Sequence, residues 1–354
     1  MANDSDFHRR AEWAPHDKVL LGWPGLEGIL KDYPDKLARA TQEVSMIAQA
    51  IANFEPVTIL VGNERISEAE EYFAQVDTPF PIKLHRIEGK DMGIWLRDMA
   101  PTFVIKSGNH SLVGLDWNFN GWGGKHPTPM TTNLTRQFLQ DVSMDRIETS
   151  IVTEGGALEA DGEGTLLATE SSIINDSRNA GKNRQDVENE LRRTLGAEKV
   201  IWIPGRVGAD ATDGHIDALA RFARPGVVLL SKANEVTPTD RTIIYEEALE
   251  ILQSVTDAKG RPIEIIEIEE PDSELFSPDG FDNHPPIRSY VNYVLVNGGI
   301  ILPQFGDPAH DAAAIRVAQR VFGDERRIYP VLIEELPLLG GGPHTVTQEI
   351  PLHV

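Results

Sequence analysis

The chain has 354 residues, 40% of them hydrophobic and 25% charged, which is the composition of a soluble globular protein long enough for one big domain or two ordinary ones. Its 33 basic against 55 acidic residues give a net charge of −22, so neither nucleic acid nor an anionic membrane surface is expected as a partner, both of which need a basic footprint. There is no cysteine, which excludes disulfides and thiolate metal sites, and with a polar Met1–Arg10 and no long apolar run the expectation is a cytoplasmic protein.

Taken in order, Val19–Pro24 reads as a short apolar strand closed by proline, and residues 35–53 show helical spacing through Leu37, Ala40, Val44, Ile47 and Ile51. Pro56–Val61 is a buried-type strand, 66–75 a second helix, and Ile82–Ile87 an alternating strand. Then come Trp95-Leu96-Arg97-Asp98, a strand at Thr102–Ile105, and a turn-rich stretch from Asp116 to Gly124. Glu154-Gly155-Gly156 opens a hairpin of Leu158–Glu159 with Thr165–Thr169, followed by a helix over Arg184–Leu195 and a strand at Val200–Ile203. The pattern repeats in Val227–Leu230, a helix over 240–253 and Ile263–Ile268. It repeats again in Tyr290–Val296, Gly299–Leu302, a helix over 311–322 and Tyr329–Ile333, with Asn297-Gly298 as a hairpin turn. No linker interrupts it. The reading is α+β: a single domain, 1–354, of repeated strand–helix units around a common centre. A doubly wound parallel sheet competes, but it needs long crossovers where hairpins are read.

One stretch, Thr212–Phe222, separates cleanly with period two. As a strand it places Asp213, His215, Asp217 and Arg221 on one face, a histidine held between carboxylates and suited to lining a site. A solvated charged face is the plain alternative. Elsewhere Arg97-Asp98 reads as a structural ion pair, Glu154 as a strand end before a turn, and the tryptophans at 95, 117, 122 and 202 as core. Gly340-Gly341-Gly342 looks like a phosphate cradle, but no P-loop lysine and serine follow it.

Together, several segments resemble the agmatine deiminases and the bacterial-type peptidylarginine deiminases of the guanidine-modifying (pentein) superfamily. They are Ala11-Glu12-Trp13, Trp95–Asp98 with Pro101–Phe103, Phe119–Gly124, Glu154–Gly156, Asp161–Thr165, Arg178-Asn179, Thr212–Asp217 and Gly340–Gln348. The resemblance implies a five-bladed, pseudo-symmetric ββαβ propeller with one polar site at its centre. It implies that Asp98 and Asp217 grip a guanidinium group, that Glu154 is an acidic site residue, that His215 is the general acid/base, and that Trp95 borders the substrate. Asp213 and Trp122 complete the expected binding residues. The family's nucleophile is a cysteine directly after the histidine of the C-terminal motif; that place is held here by Thr345, and Ala100 stands where glycine is usual. A hydroxyl is a far weaker nucleophile at neutral pH than a partly ionised thiol.

Three readings follow. The first is a deiminase-like enzyme acting on a small guanidino compound, agmatine or an arginine derivative, through Thr345 or a histidine-activated water. The second is a non-catalytic guanidinium-binding protein on a deiminase frame. The third is a metal enzyme using Asp213, His215 and Asp217, ranked last because the cluster has one histidine. No cofactor and no metal are expected; the expected partner is a cationic guanidino molecule, and homo-oligomers are left open. Burying Asp98, Glu154, Asp213 and Asp217 together calls for positive charge to offset them.

Overall fold

The structure, a computed structural model, describes residues 6–28 and 30–353; the first half of the polar Met1–Arg10 stretch lies outside them. Five small sheets share one plan, a hairpin followed by a helix and a parallel third strand. Leu158–Ala160 pairs antiparallel with Thr165–Thr169, which pairs parallel with Lys199–Ile203 after the helix Arg184–Leu195. Ala220–Arg224, Val227–Lys232 and Glu264–Glu269 repeat the plan around the helix Asp240–Ser254, and Val294–Val296, Gly299–Gln304 and Arg327–Leu332 repeat it around Pro308–Phe322. Thr102–Lys106, Leu112–Asp116 and Arg146–Glu148 do so around Pro129–Asp141, with Phe7–His8 added at the edge. In the fifth sheet Thr347–Pro351 supplies the hairpin partner of His16–Gly22, and Val57–Gly62 and Ile82–Ile87 follow in parallel. The last strand of the described chain therefore closes a sheet with the second. Short hairpins make a doubly wound sheet impossible, and the five ββαβ blades are as expected.

The helices are where the periodicity places them. Pro34–Ile51 starts on proline and buries Leu37, Ala40, Val44, Ile47 and Ile51 on one stripe. Arg184–Leu195 opens on an Asn183–Asp186 capping box and stops at Gly196, whose φ of 71° is the left-handed ending. Among the elements the sequence reading leaves out are the strands Leu112–Asp116, Arg146–Glu148 and Thr347–Pro351 and the helix Pro129–Asp141, which carry weaker patterns. Tyr290–Asn292 and Tyr293 precede a strand that begins only at Val294.

The largest correction concerns Thr212–Phe222. The strand is confined to Ala220–Arg224; Ile216–Ala218 is a short 3-10 turn, and Asp213 and Gly214 have φ of 68° and 89°. Turn chemistry wins locally. The Asp210 carboxylate accepts from the N–H of Thr212 and of Gly214, and the Thr212 hydroxyl accepts from the N–H of His215. The blades meet through such inner segments: the one-turn helix Leu96–Met99 packs on Gly155–Ala157, which packs on Ile216–Ala218.

Candidate active site

Two adjacent residues on the one-turn helix Leu96–Met99 face opposite ways. Arg97 points into the interior to Glu12 (3.1 Å) and Glu349 (2.7 Å), and its own N–H donates to the Thr345 carbonyl. Asp98 points to the centre. The expected Arg97–Asp98 ion pair is therefore absent, and each belongs to a different network.

Asp98 accepts from the Trp122 indole N–H (2.9 Å) and from the Gly156 N–H (3.0 Å). Trp122 reaches it from a turn, Gly121–Gly124, in which all four residues have positive φ; glycines make this possible on either side of a tryptophan at φ 56°. A Cβ on Gly156 would lie 2.7 Å from His215 Nδ1, 2.8 Å from Asp98 Oδ1 and 3.2 Å from Asp217 Oδ2. Those three polar atoms thus converge on one spot, and only glycine leaves it open. Gly341 plays a similar part at the edge, where a Cβ would press on the Trp95 ring at 2.4 Å. Close packing, not a phosphate cradle, accounts for that glycine.

His215, 4% exposed, stands between Asp98 and Glu154: Nδ1 is 3.6 Å from Asp98 Oδ1, and Nε2 is 3.2 Å from Glu154 Oε2. Its flanking carboxylates therefore come from other segments and not from Asp213 two residues before it. Burial alone lowers its pKa, but the charges of Asp98 and Glu154, with Asp217 beyond, outweigh this and push it up to about 9. At neutral pH the ring carries a proton. Nδ1 is buried without a hydrogen-bond partner, so one N–H is aimed at the convergence point unused.

Asp98 is pushed up to about 6, first by burial, with the His215 charge opposing and the Asp217 and Glu154 charges adding. It is the carboxylate least provided with positive charge. Glu154 and Asp213 are already offset: the Arg178 guanidinium donates to both Glu154 oxygens (2.9 and 3.1 Å) and to Asp213 (2.7 Å), and Lys125 reaches Asp213 at 2.8 Å. The idea that all four acids need an external cation is corrected accordingly, and Asp213 is removed from the ligand-facing set. Arg178 lacked any sequence cue for this role beyond its place in a motif.

Asp217 is held below the usual carboxylate range; burial works the other way, but the hydrogen bond and charge of His344 prevail. Its Oδ2 accepts from His344 Nδ1 (2.8 Å), from Asn292 Nδ2 (3.3 Å) and from the Thr345 hydroxyl (3.4 Å). The Thr345 hydroxyl in turn accepts from Asn292 Nδ2 at 3.1 Å. Asn292 sits in a stretch read as strand, which concealed it. Thr345, Trp95, Asp98 and Trp122 line a cleft of roughly 530 Å³, solvent at its mouth included, whose outer walls are Phe281, Asp282, His284 and Leu338–Gly340. The tryptophans at 95 and 122 are thus both buried and cleft-lining, while Trp117 donates to Thr102 and Trp202 to Glu188, away from it. Among the described residues no group of three or more histidine and acidic side chains is placed to hold a metal. Asp213 faces cations instead, so the metal reading loses its ligand set.

The His215 shift makes a stability prediction. Its folded pKa lies above the unfolded value of about 6.5, so its contribution is complete below that value and lost as pH rises through about 9. Chemical denaturation across that window should show a fall of about 3 kcal/mol that is missing in His215→Gln.

The chain matches the model of the Porphyromonas-type peptidyl-arginine deiminases over residues 8–351. An agmatine deiminase from Medicago truncatula is 35% identical, covering 98% of this chain and 96% of its own length. One from Stutzerimonas stutzeri (strain A1501) is 36% identical, with 98% and 95% covered. The solved agmatine deiminase of Enterococcus faecalis superposes with a TM-score of 0.86 at 27% identity, covering 99% of this chain and 97% of that one. The five-bladed arrangement is the pentein fold, and the chain belongs to the Porphyromonas-type peptidyl-arginine deiminase family.

Proposed function

We propose that this protein hydrolyses a C–N bond of a small guanidino compound, agmatine or an arginine derivative, held between Asp98 and Asp217. One observation carries the reading: two buried carboxylates and a protonated imidazole converge on one point beside the cleft. A planar cation suits paired carboxylates, and a guanidinium would supply the charge that Asp98 lacks. Among the described residues no arginine or lysine lines the cleft, which favours agmatine over a substrate with a free carboxylate. The His215 proton goes to the departing nitrogen, which takes the C–N electron pair and leaves as ammonia. Oxygen enters at the guanidinium carbon from water, directly or after the Thr345 hydroxyl, giving up its proton, displaces the ammonia and forms an O-alkyl isouronium; water then displaces the Thr345 oxygen, which takes a proton back, and the other water proton restores that of His215.

The second reading, a guanidinium-binding protein without turnover, draws on a different observation. The Thr345 hydroxyl faces Asp217, whose proton affinity His344 reduces, and His215 already carries a proton, so no free base adjoins the hydroxyl at neutral pH.

Both readings expect agmatine to bind, seen by calorimetry and as a raised melting temperature. Asp217→Asn should weaken it by about 1.5–3 kcal/mol through loss of one charge-assisted contact. Absence of binding by any guanidino compound would refute the ligand class. Mass spectrometry of a substrate panel, reading the exchange of nitrogen for oxygen, decides between enzyme and binder.

A further inference from the structure

We infer that His344, oriented by Glu12, is a positioning residue that holds the Asp217 carboxylate in its charged form with Oδ2 turned toward the convergence point. The inference rests on the guanidinium-binding reading and extends it to residues outside the cleft.

The chain of contacts is continuous and buried. His344 Nδ1 lies 2.8 Å from Asp217 Oδ2, and Nε2 lies 3.0 and 3.1 Å from the two oxygens of Glu12. Glu12 is itself clamped by Arg221, by Arg97 at 3.1 Å and by Arg9 at 3.5 Å. Three guanidinium groups thus leave the Glu12 carboxylate little freedom, and it fixes the plane of the ring. With both ring nitrogens facing carboxylates, the ring uses both N–H donors. The donors to Asp217 all converge on Oδ2: His344, Asn292 and Thr345. That is the oxygen that faces the convergence point with Asp98 and His215. A buried carboxylate without a cationic partner would take up a proton and lose its hold on a guanidinium. His344 prevents this from the rear, and being the residue before Thr345 it ties the same chain segment to the base of the site.

The charged groups facing Asp217 are His344, His215 and Arg221, with Asp98 across the convergence point. The Asp217 charge acts on Asp98, so the Asp98 carboxyl is followed beside that of Asp217 in every variant.

The test is carboxyl-carbon NMR of Asp217 in the full chain without ligand, paired with agmatine calorimetry between pH 5.5 and 9. In the unmodified protein Asp217 should titrate below the ordinary aspartate range. His344→Leu should move it above that range and weaken agmatine binding by about tenfold more at pH 5.5 than at pH 9. His344→Asn, whose amide N–H can replace the Nδ1 donor, should restore much of the affinity at pH 9, and it serves alone if the leucine variant does not fold. Its loss of the positive charge should still leave Asp217 titrating higher than in the parent. An Asp217 titration unchanged in both variants overturns the inference. Failure of the unmodified protein to bind agmatine would instead overturn the ligand class, and the ligand-free titration would still decide the role of His344.

Discussion

Thr345→Cys is expected to create, or raise by about 100-fold or more, the deimination of agmatine. A thiol needs less from its surroundings than a hydroxyl, because it is already partly ionised near neutral pH. His215, protonated at neutral pH, stands at the convergence point as the acid for the departing nitrogen. The same surroundings do little for a hydroxyl, because no neutral base adjoins it. The cysteine variant should also become sensitive to thiol alkylation, which the cysteine-free parent is not. Thr345→Ala completes the comparison. If the unmodified protein turns over a substrate and the alanine variant keeps its rate, water attacks directly; a fall of several orders of magnitude with binding retained assigns the attack to the hydroxyl. An inactive parent with an active cysteine variant identifies a binding protein. A cysteine variant that binds agmatine yet remains inactive would refute the geometry proposed for the nucleophile.

Arg178→Met should destabilise the fold by about 3–5 kcal/mol, the usual cost of removing one partner from a buried ionic group. The Arg178 side chain is fully buried and neutralises two acids, Glu154 and Asp213, that come from different segments. Its second Nη also donates to the Thr212 carbonyl at 2.9 Å, so the turn leading to His215 loses its anchor. Lys125 is left to offset Asp213, and Glu154 retains only His215. Denaturant unfolding measures the loss, and raised pH should deepen it as His215 loses its proton. A loss below about 1 kcal/mol would show that water or relaxation replaces the guanidinium, contrary to the burial described.

Much of this protein was determined by sequence-local physics. Alternation and helical spacing marked most strands and helices of the five units, because each depends on one apolar face read within a dozen residues. Leu112–Asp116, buried along its whole length, has no alternation to betray it, and the polar start of Pro129–Asp141 hides its apolar stripe. Motif order was enough to name Trp95, Asp98, Glu154, His215, Asp217 and Thr345, and the fold brings them together. What each one does there was decided by the tertiary structure. His215 and Asp213 are two residues apart, yet a left-handed turn sends Asp213 to Arg178 and Lys125 while His215 meets Asp98 and Glu154 from other segments. Neighbouring residues share a face only if the backbone is extended, and here Asp210 and Thr212 hydrogen bonds bend it. Charge balance is likewise nonlocal. Which acids stay unpaired depends on Arg178, on Glu12 at the far end of the chain, and on His344, and long-range partners of that kind leave no periodic trace in a sequence.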